Sequence, residues 1–102
     1  MTAVTVPLSK PVTAHGEEVG ELSLREPLTK DVIELGMPTL IVVGDDGGAG
    51  VEVRTRIVAR YISRLAAVPM STVEALSLKD HTACTAAVMG FFGMGDGEAA
   101  TN

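Results

Sequence analysis

Aromatic residues are scarce in this chain: there is no tryptophan, one tyrosine and two phenylalanines. Core volume must come from Val, Leu, Ile, Met and Ala, and the stacking platforms that hold single-stranded nucleic acid are missing. The only cysteine, Cys84, excludes an internal disulfide and fits a reducing compartment. Positive charge is also in deficit. A formal net charge of −5 argues against non-specific attraction to nucleic acid or to an anionic membrane, both of which favour a basic surface. The longest apolar runs, such as Leu40 to Val43, are far too short to cross a bilayer, and the N-terminus shows no basic region followed by an apolar signal segment. The expected location is the cytoplasm.

What remains is an ordinary folding composition. Of 102 residues, 46% are hydrophobic and 21% charged, unlike the polar make-up of disordered segments. This length makes one small domain with one core the default. The charge is unevenly spread. Between Val51 and Ala66 four arginines (Arg54, Arg56, Arg60, Arg64) face one glutamate, a local +3 that leaves −8 for the rest of a chain totalling −5.

Periodicity divides the chain. "VTVPLSKPV" sets Val4, Val6 and Leu8 against Thr5, Pro7 and Ser9, the two-residue repeat of a half-buried strand in which Pro7 suits only an edge. His15-Gly16 supplies a turn, after which Val19, Leu22 and Leu24 resume apolar spacing, so residues 1–25 read as a β-hairpin. In "GELSLREPLTKDVIELG" the period changes: Pro27 breaks the strand, Thr29 is the expected N-cap, and Leu28, Val32 and Leu35 mark a short helix over 28–36. Residues 37–54 admit two readings, a second hairpin made of "TLIVV" and "VEV" or a glycine-rich loop.

From Thr55, an expected N-cap, Ile57, Val58, Tyr61, Ile62 and Leu65 form the clearest amphipathic face. Beside it Arg56, Arg60 and Arg64 make a stripe. Pro69 ends that helix, and two capping signatures follow, Ser71 with Glu74 and Ser77 with Asp80. They predict a short turn over 72–76 and a helix from Leu78 to about Phe92. That last helix carries Ala83, Cys84, Ala86, Ala87, Val88, Phe91 and Phe92 around most of its circumference, which predicts burial on two sides. The whole is expected to be an α+β domain over 1–92, an N-terminal β-hairpin packed on a small bundle of about three to four helices, with 93–102 as a flexible tail.

Chemistry is hard to assemble from these residues. His81 and Cys84 are three apart on a helix, a spacing that suits zinc or an activated thiol, but a structural zinc needs four ligands and the other histidine, His15, is in a turn. The blander reading is a small buried Cys beside a surface His. "GDDGGAG" lacks the Lys-Ser/Thr of a phosphate cradle and the alternating oxygens of a calcium loop. No catalytic residue, metal or cofactor is assigned. The arginine stripe has three readings: a solvated face, pairing with the chain's own acids, or docking of an acidic partner helix.

In order along the chain, "LSKPV", "GEEVGELSLREPLTKDV" and "RYISRLAAVPMSTVEALSLKDHTACTAAVMGFFG" resemble the tail assembly chaperone family of Mu-like and P2-like bacteriophages. The family's strand exit falls at Leu22 to Pro27, its helix end at Leu65 to Pro69, its Leu-Ser-x-x-Asp cap at Leu76 to Asp80, and its terminal pair at Phe91-Phe92. Met37 to Gly50 departs from the pattern, being more apolar and glycine-rich than a plain connection. The resemblance implies a non-enzymatic protein of the bacterial host's cytoplasm, absent from the mature virion. Its implied role is to bind the tape measure protein and keep it soluble while the tail tube forms. The tail tube protein and a second copy of the chain are further candidate partners.

A helical client suits helix-in-groove recognition. The expected contact residues are then Arg56, Arg60, Arg64, Val88, Met89, Phe91 and Phe92, with Ala83, Ala86 and Ala87 permitting close approach; the alternative is that the apolar ones fill the domain's own core. A competing role is a structural virion component, a connector or tail-completion subunit.

Overall fold

The computed structural model describes residues 3–93. The tail expected over 93–102 therefore lies, Gly93 apart, outside the described residues. In chain order the elements are β1 (Ala3–Ala14), β2 (Glu17–Arg25), α1 (Thr29–Leu35), β3 (Thr39–Val43), β4 (Ala49–Val53), α2 (Thr55–Ala66), α3 (Met70–Ala75) and α4 (Leu78–Phe91). The fold is α+β, with two separate antiparallel hairpins, β1–β2 and β3–β4.

The first hairpin turns at His15 and Gly16, with φ of 54° and 81°. Two consecutive positive φ values define the two-residue turn whose twist matches that of the strands. Alternation buries Val6, Val12, Ala14, Leu22 and Leu24 on one face. The register is interrupted between Pro7 and Val12, so that Leu8 to Pro11 stand opposite Gly20 alone. Both prolines of β1 are thereby tolerated, because each strand of a two-stranded sheet is an edge and Pro11 lies in the bulge.

That buried face meets Val58, Tyr61, Ile62 and Leu65 of α2 and Cys84, Val88 and Met89 of α4, with Val73 and Leu76 of the α3 segment closing the side. Helix α2 packs on β2, and α4 on β1 and α2. The bulge is fastened from the helical layer: the Asp80 carboxylate accepts the backbone N–H of Ser9 at 2.8 Å and of Lys10 at 3.1 Å. These two donors have no strand partner, so a buried carboxylate replaces the ladder. Thr72 Oγ1 donates to the Thr13 carbonyl at 2.7 Å and ties α3 to the same strand.

Several caps differ from the expected ones. Leu28, not Thr29, is the N-cap of α1, and the cap's own N–H is satisfied by Asp31 Oδ2 at 2.7 Å. Thr55 is the first helical residue of α2 behind Arg54, and α3 starts at Met70 behind Pro69, both without a side-chain cap. A fixed φ near −65° makes proline a good neighbour for a helix start, which displaces Ser71 into the first turn. Ser77 does cap α4, accepting the Asp80 N–H at 3.2 Å.

The middle segment is a hairpin, paired from Thr39↔Val53 to Val43↔Ala49. Its base is closed by the Arg54 N–H on the Pro38 carbonyl at 2.9 Å and anchored by the Tyr61 hydroxyl on the Gly36 carbonyl at 2.6 Å. Beyond the base, β3 and β4 make their substantial contacts among the described residues with each other alone.

Candidate functional site

Helix α2 presents the arginine stripe along the edge of its buried face, and the three positions part company. Arg64 reaches Asp31 at 3.3 Å and also pairs with Glu34, both on α1. Asp31 is 2% exposed and also receives Arg25 at 2.8 Å, so one buried carboxylate joins β2, α1 and α2. The Arg25 hydrogen bond, the Leu28 N–H and Arg64 together hold the Asp31 carboxyl well below the usual carboxylate range, against the opposing effect of burial. Arg56 and Arg60 are exposed and form no ion pair among the described residues. Internal pairing thus claims one arginine and leaves two in solvent.

Helix α4 turns its aliphatic contact residues inward. Val88 is fully buried and Met89 8% exposed, because β1 and α2 cover that arc of the helix. Phe91 and Phe92 are half-buried, and Phe92 sits edge-on to Tyr61 with ring centroids 5.4 Å apart. An offset edge-to-face pair of this kind plugs the end of the core. The other side of α4, with Thr82, Ala83, Ala86 and Gly90, is exposed. Among the described residues only one broad face is covered, where two were expected from the residue pattern.

Cys84 is fully buried, and burial followed by the nearby Asp80 charge pushes its thiol up to about 11. Such a thiol is not a nucleophile near neutral pH. His81 is half-exposed three residues away, and among the described residues no three His, Cys, Asp or Glu side chains gather to hold a metal.

Two exposed apolar features fall outside the residues singled out from the sequence. One is an open recess of about 270 Å³ lined by Ala59 of α2, Val73, Glu74 and Leu76 of the α3 segment, and Leu78 and His81 of α4. It is smaller than a typical small-molecule site and has room for one or two side chains. Leu78, 80% exposed, stands at its lip. Arg56 precedes Ala59 by one helical turn and shares its side of α2.

The second feature is the β3–β4 hairpin, where Leu40, Ile41, Val42, Val43, Val51 and Val53 are all exposed, Ile41 and Val43 by 70% each. The sequence carries its signal in "TLIVV", an unbroken apolar run of the kind found in strands covered on both faces. No helix among the described residues is long and apolar enough to cross a membrane.

Comparison with curated proteins and with solved structures gives no match. Residues 5–93 match the family described as phage tail assembly chaperone proteins, E, or 41 or 14. That span runs from β1 to the residue after the Phe91-Phe92 pair and includes the hairpin, the caps and the terminal helix, so this chain belongs to the phage tail assembly chaperone family.

Proposed function

We propose that this protein binds the tape measure protein in the cytoplasm of the bacterial host and keeps it soluble during tail tube assembly, without catalysis. The client's apolar helical face would otherwise meet water or other copies of itself. Masking it takes reversible contacts, and helix-in-groove docking provides them.

The observation that carries this reading is Leu78 standing 80% exposed beside an apolar recess. A leucine so placed has no role in the chain's own core. We assign the recess to one or two apolar side chains of the client helix. Arg56 and Arg60, free and on the adjoining side of α2, then meet acidic residues flanking the client's apolar stripe. Phe91, Phe92, Val88 and Met89 act from inside, holding α4 at the angle that presents Leu78.

Co-expression with a tape measure fragment tests this directly. The fragment should stay in solution and co-purify with the native chain, and should pellet with Leu78→Asp. An acidic residue in the first turn of α4 is favoured by the helix dipole, so this variant keeps its fold. A fragment that never binds, or binds Leu78→Asp equally well, overturns the reading. Mass spectrometry of purified particles separates a chaperone, which should be missing, from a connector or completion subunit, which should be present.

A further inference from the structure

A two-stranded hairpin standing alone is marginal in water, and a third strand or a packed face is what normally stabilises it. Among the described residues the β3–β4 hairpin has neither. Its register sorts the side chains cleanly. One face carries Thr39, Ile41 and Val43 with Ala49, Val51 and Val53, while Leu40, Val42, Gly50 and Glu52 take the other. The first face has no charge, and its four branched aliphatics are 47% to 70% exposed.

The ends of the hairpin differ in sign. Asp45 and Asp46 are exposed at the tip, and Arg54 and Arg56 are exposed at the base, separated by a five-residue strand of roughly 17 Å. Two such hairpins stacked face to face about a two-fold axis, running in opposite directions, place each acidic tip over the other's basic base. Stacked in the same direction they would place like charges together. An isologous contact repeats whatever complementarity it has, so the tip-to-base match occurs twice.

We infer that a second copy of this chain covers the uncharged face of the β3–β4 hairpin, with the acidic tip of each hairpin against the arginines at the base of the other. The area sets the strength. Fully exposed Val and Ile side chains offer roughly 60–120 Å² each, so four of them at these exposures give about 200 Å² per copy against about 800 Å² in a standard interface. The dimer is therefore reversible and concentration-dependent. This inference does not rest on the client, and self-association is measured without one; Arg56 adjoins both surfaces, so the charge at the base is tested at Arg54.

Analytical ultracentrifugation of the full chain over a concentration series at low salt should show a monomer–dimer equilibrium. The double variant Ile41→Asp, Val51→Asp should raise the dissociation constant at least about a hundredfold with unchanged helical circular dichroism. Asp46 organises the tip by accepting the Gly48 N–H at 2.9 Å, so Asp45→Arg is the substitution that changes charge alone. At the base, Arg54→Asp installs a good N-cap residue ahead of α2 and spares the fold. Each of these single variants should be monomeric, and mixing the two should restore a dimer, because both tip-to-base contacts regain opposite signs. A monomer at every concentration overturns the inference, as does a dimer indifferent to Ile41→Asp, Val51→Asp. So does a hairpin variant that loses tape measure capture while self-association is unchanged, since the hairpin then belongs to the client.

Discussion

Asp31 and Asp80 each sit in the first turn of a helix, where a carboxylate is favoured by the helix dipole, and from sequence that is all they say. Each also has partners far along the chain: Asp80 bonds Ser9 and Lys10, and Asp31, besides its shorter bonds to the nearby Arg25 and Leu28 N–H, reaches Arg64. No local pattern announces a partner seventy residues away. The Ser9 and Lys10 N–H groups hold the Asp80 carboxyl down to about 2, and Arg25 above all holds Asp31 lower still. Both folded-state values lie below the unfolded ones, near 4, so the stabilisation is complete above that pH and is lost as pH falls through the folded values. Thermal melts should be flat from neutral pH to about 5 and should drop between about 4 and 2. Asp80→Asn should melt several degrees lower at neutral pH, since the amide turns a donor toward an N–H, and its acid limb should be shallower. A variant whose acid limb matches the native one would remove Asp80 from this account. The opposite sign is expected at Ala67, whose φ of 58° ends α2 in the left-handed region. Ala67→Gly should stabilise by about 0.5–1 kcal/mol in denaturant titration, because glycine adopts that conformation without a clash of Cβ.

Helix α4 shows how far an element can be read from its own residues. Its limits and its Ser77 cap are legible, because a side-chain cap and an apolar run are local signals. Which arc faces inward is not, since apolar and small residues surround the helix and give no preferred direction. The register with β1 decides it, and the Asp80 bond to the bulge sets that register. Two substitutions on the one helix should therefore separate. Val88→Ala, fully buried, should cost about 2 kcal/mol in chemical denaturation, while Leu78→Ala should leave stability nearly unchanged and weaken client capture. The β3–β4 hairpin was legible as an element only in outline, because a two-residue period is absent from an unbroken apolar run. Since the Arg54 N–H already meets the Pro38 carbonyl at 2.9 Å, the ends of the hairpin are close together. Replacing residues 40–52 with a short Gly-Ser linker should keep the helical circular dichroism signal of the body, and collapse of that signal would show that the hairpin supports the core.

For the whole molecule the charge pattern does what no single element does, since the net −5 opposes indiscriminate association of copies while the exposed Arg54, Arg56 and Arg60 remain available for specific contacts. On the function proposed above, the stripe on α2 is split between folding and recognition. Arg64 is held between Asp31 and Glu34, so Arg64→Glu should lower the melting temperature by setting a third acid against two that are already there. The double variant Arg56→Glu, Arg60→Glu should leave the melting temperature within a degree or two, because exposed charges contribute little to stability. Its effect should appear in client capture, which weakens and loses its salt dependence, and through Arg56 in self-association. If a dimer carries two recesses, a long helical client engages both, and the second contact forms at the high effective concentration set by the first. A monomeric hairpin variant should then keep single-recess binding but release a long tape measure fragment faster than a short one-site fragment, relative to the native chain. Equal changes for both lengths would mean that the recesses act separately.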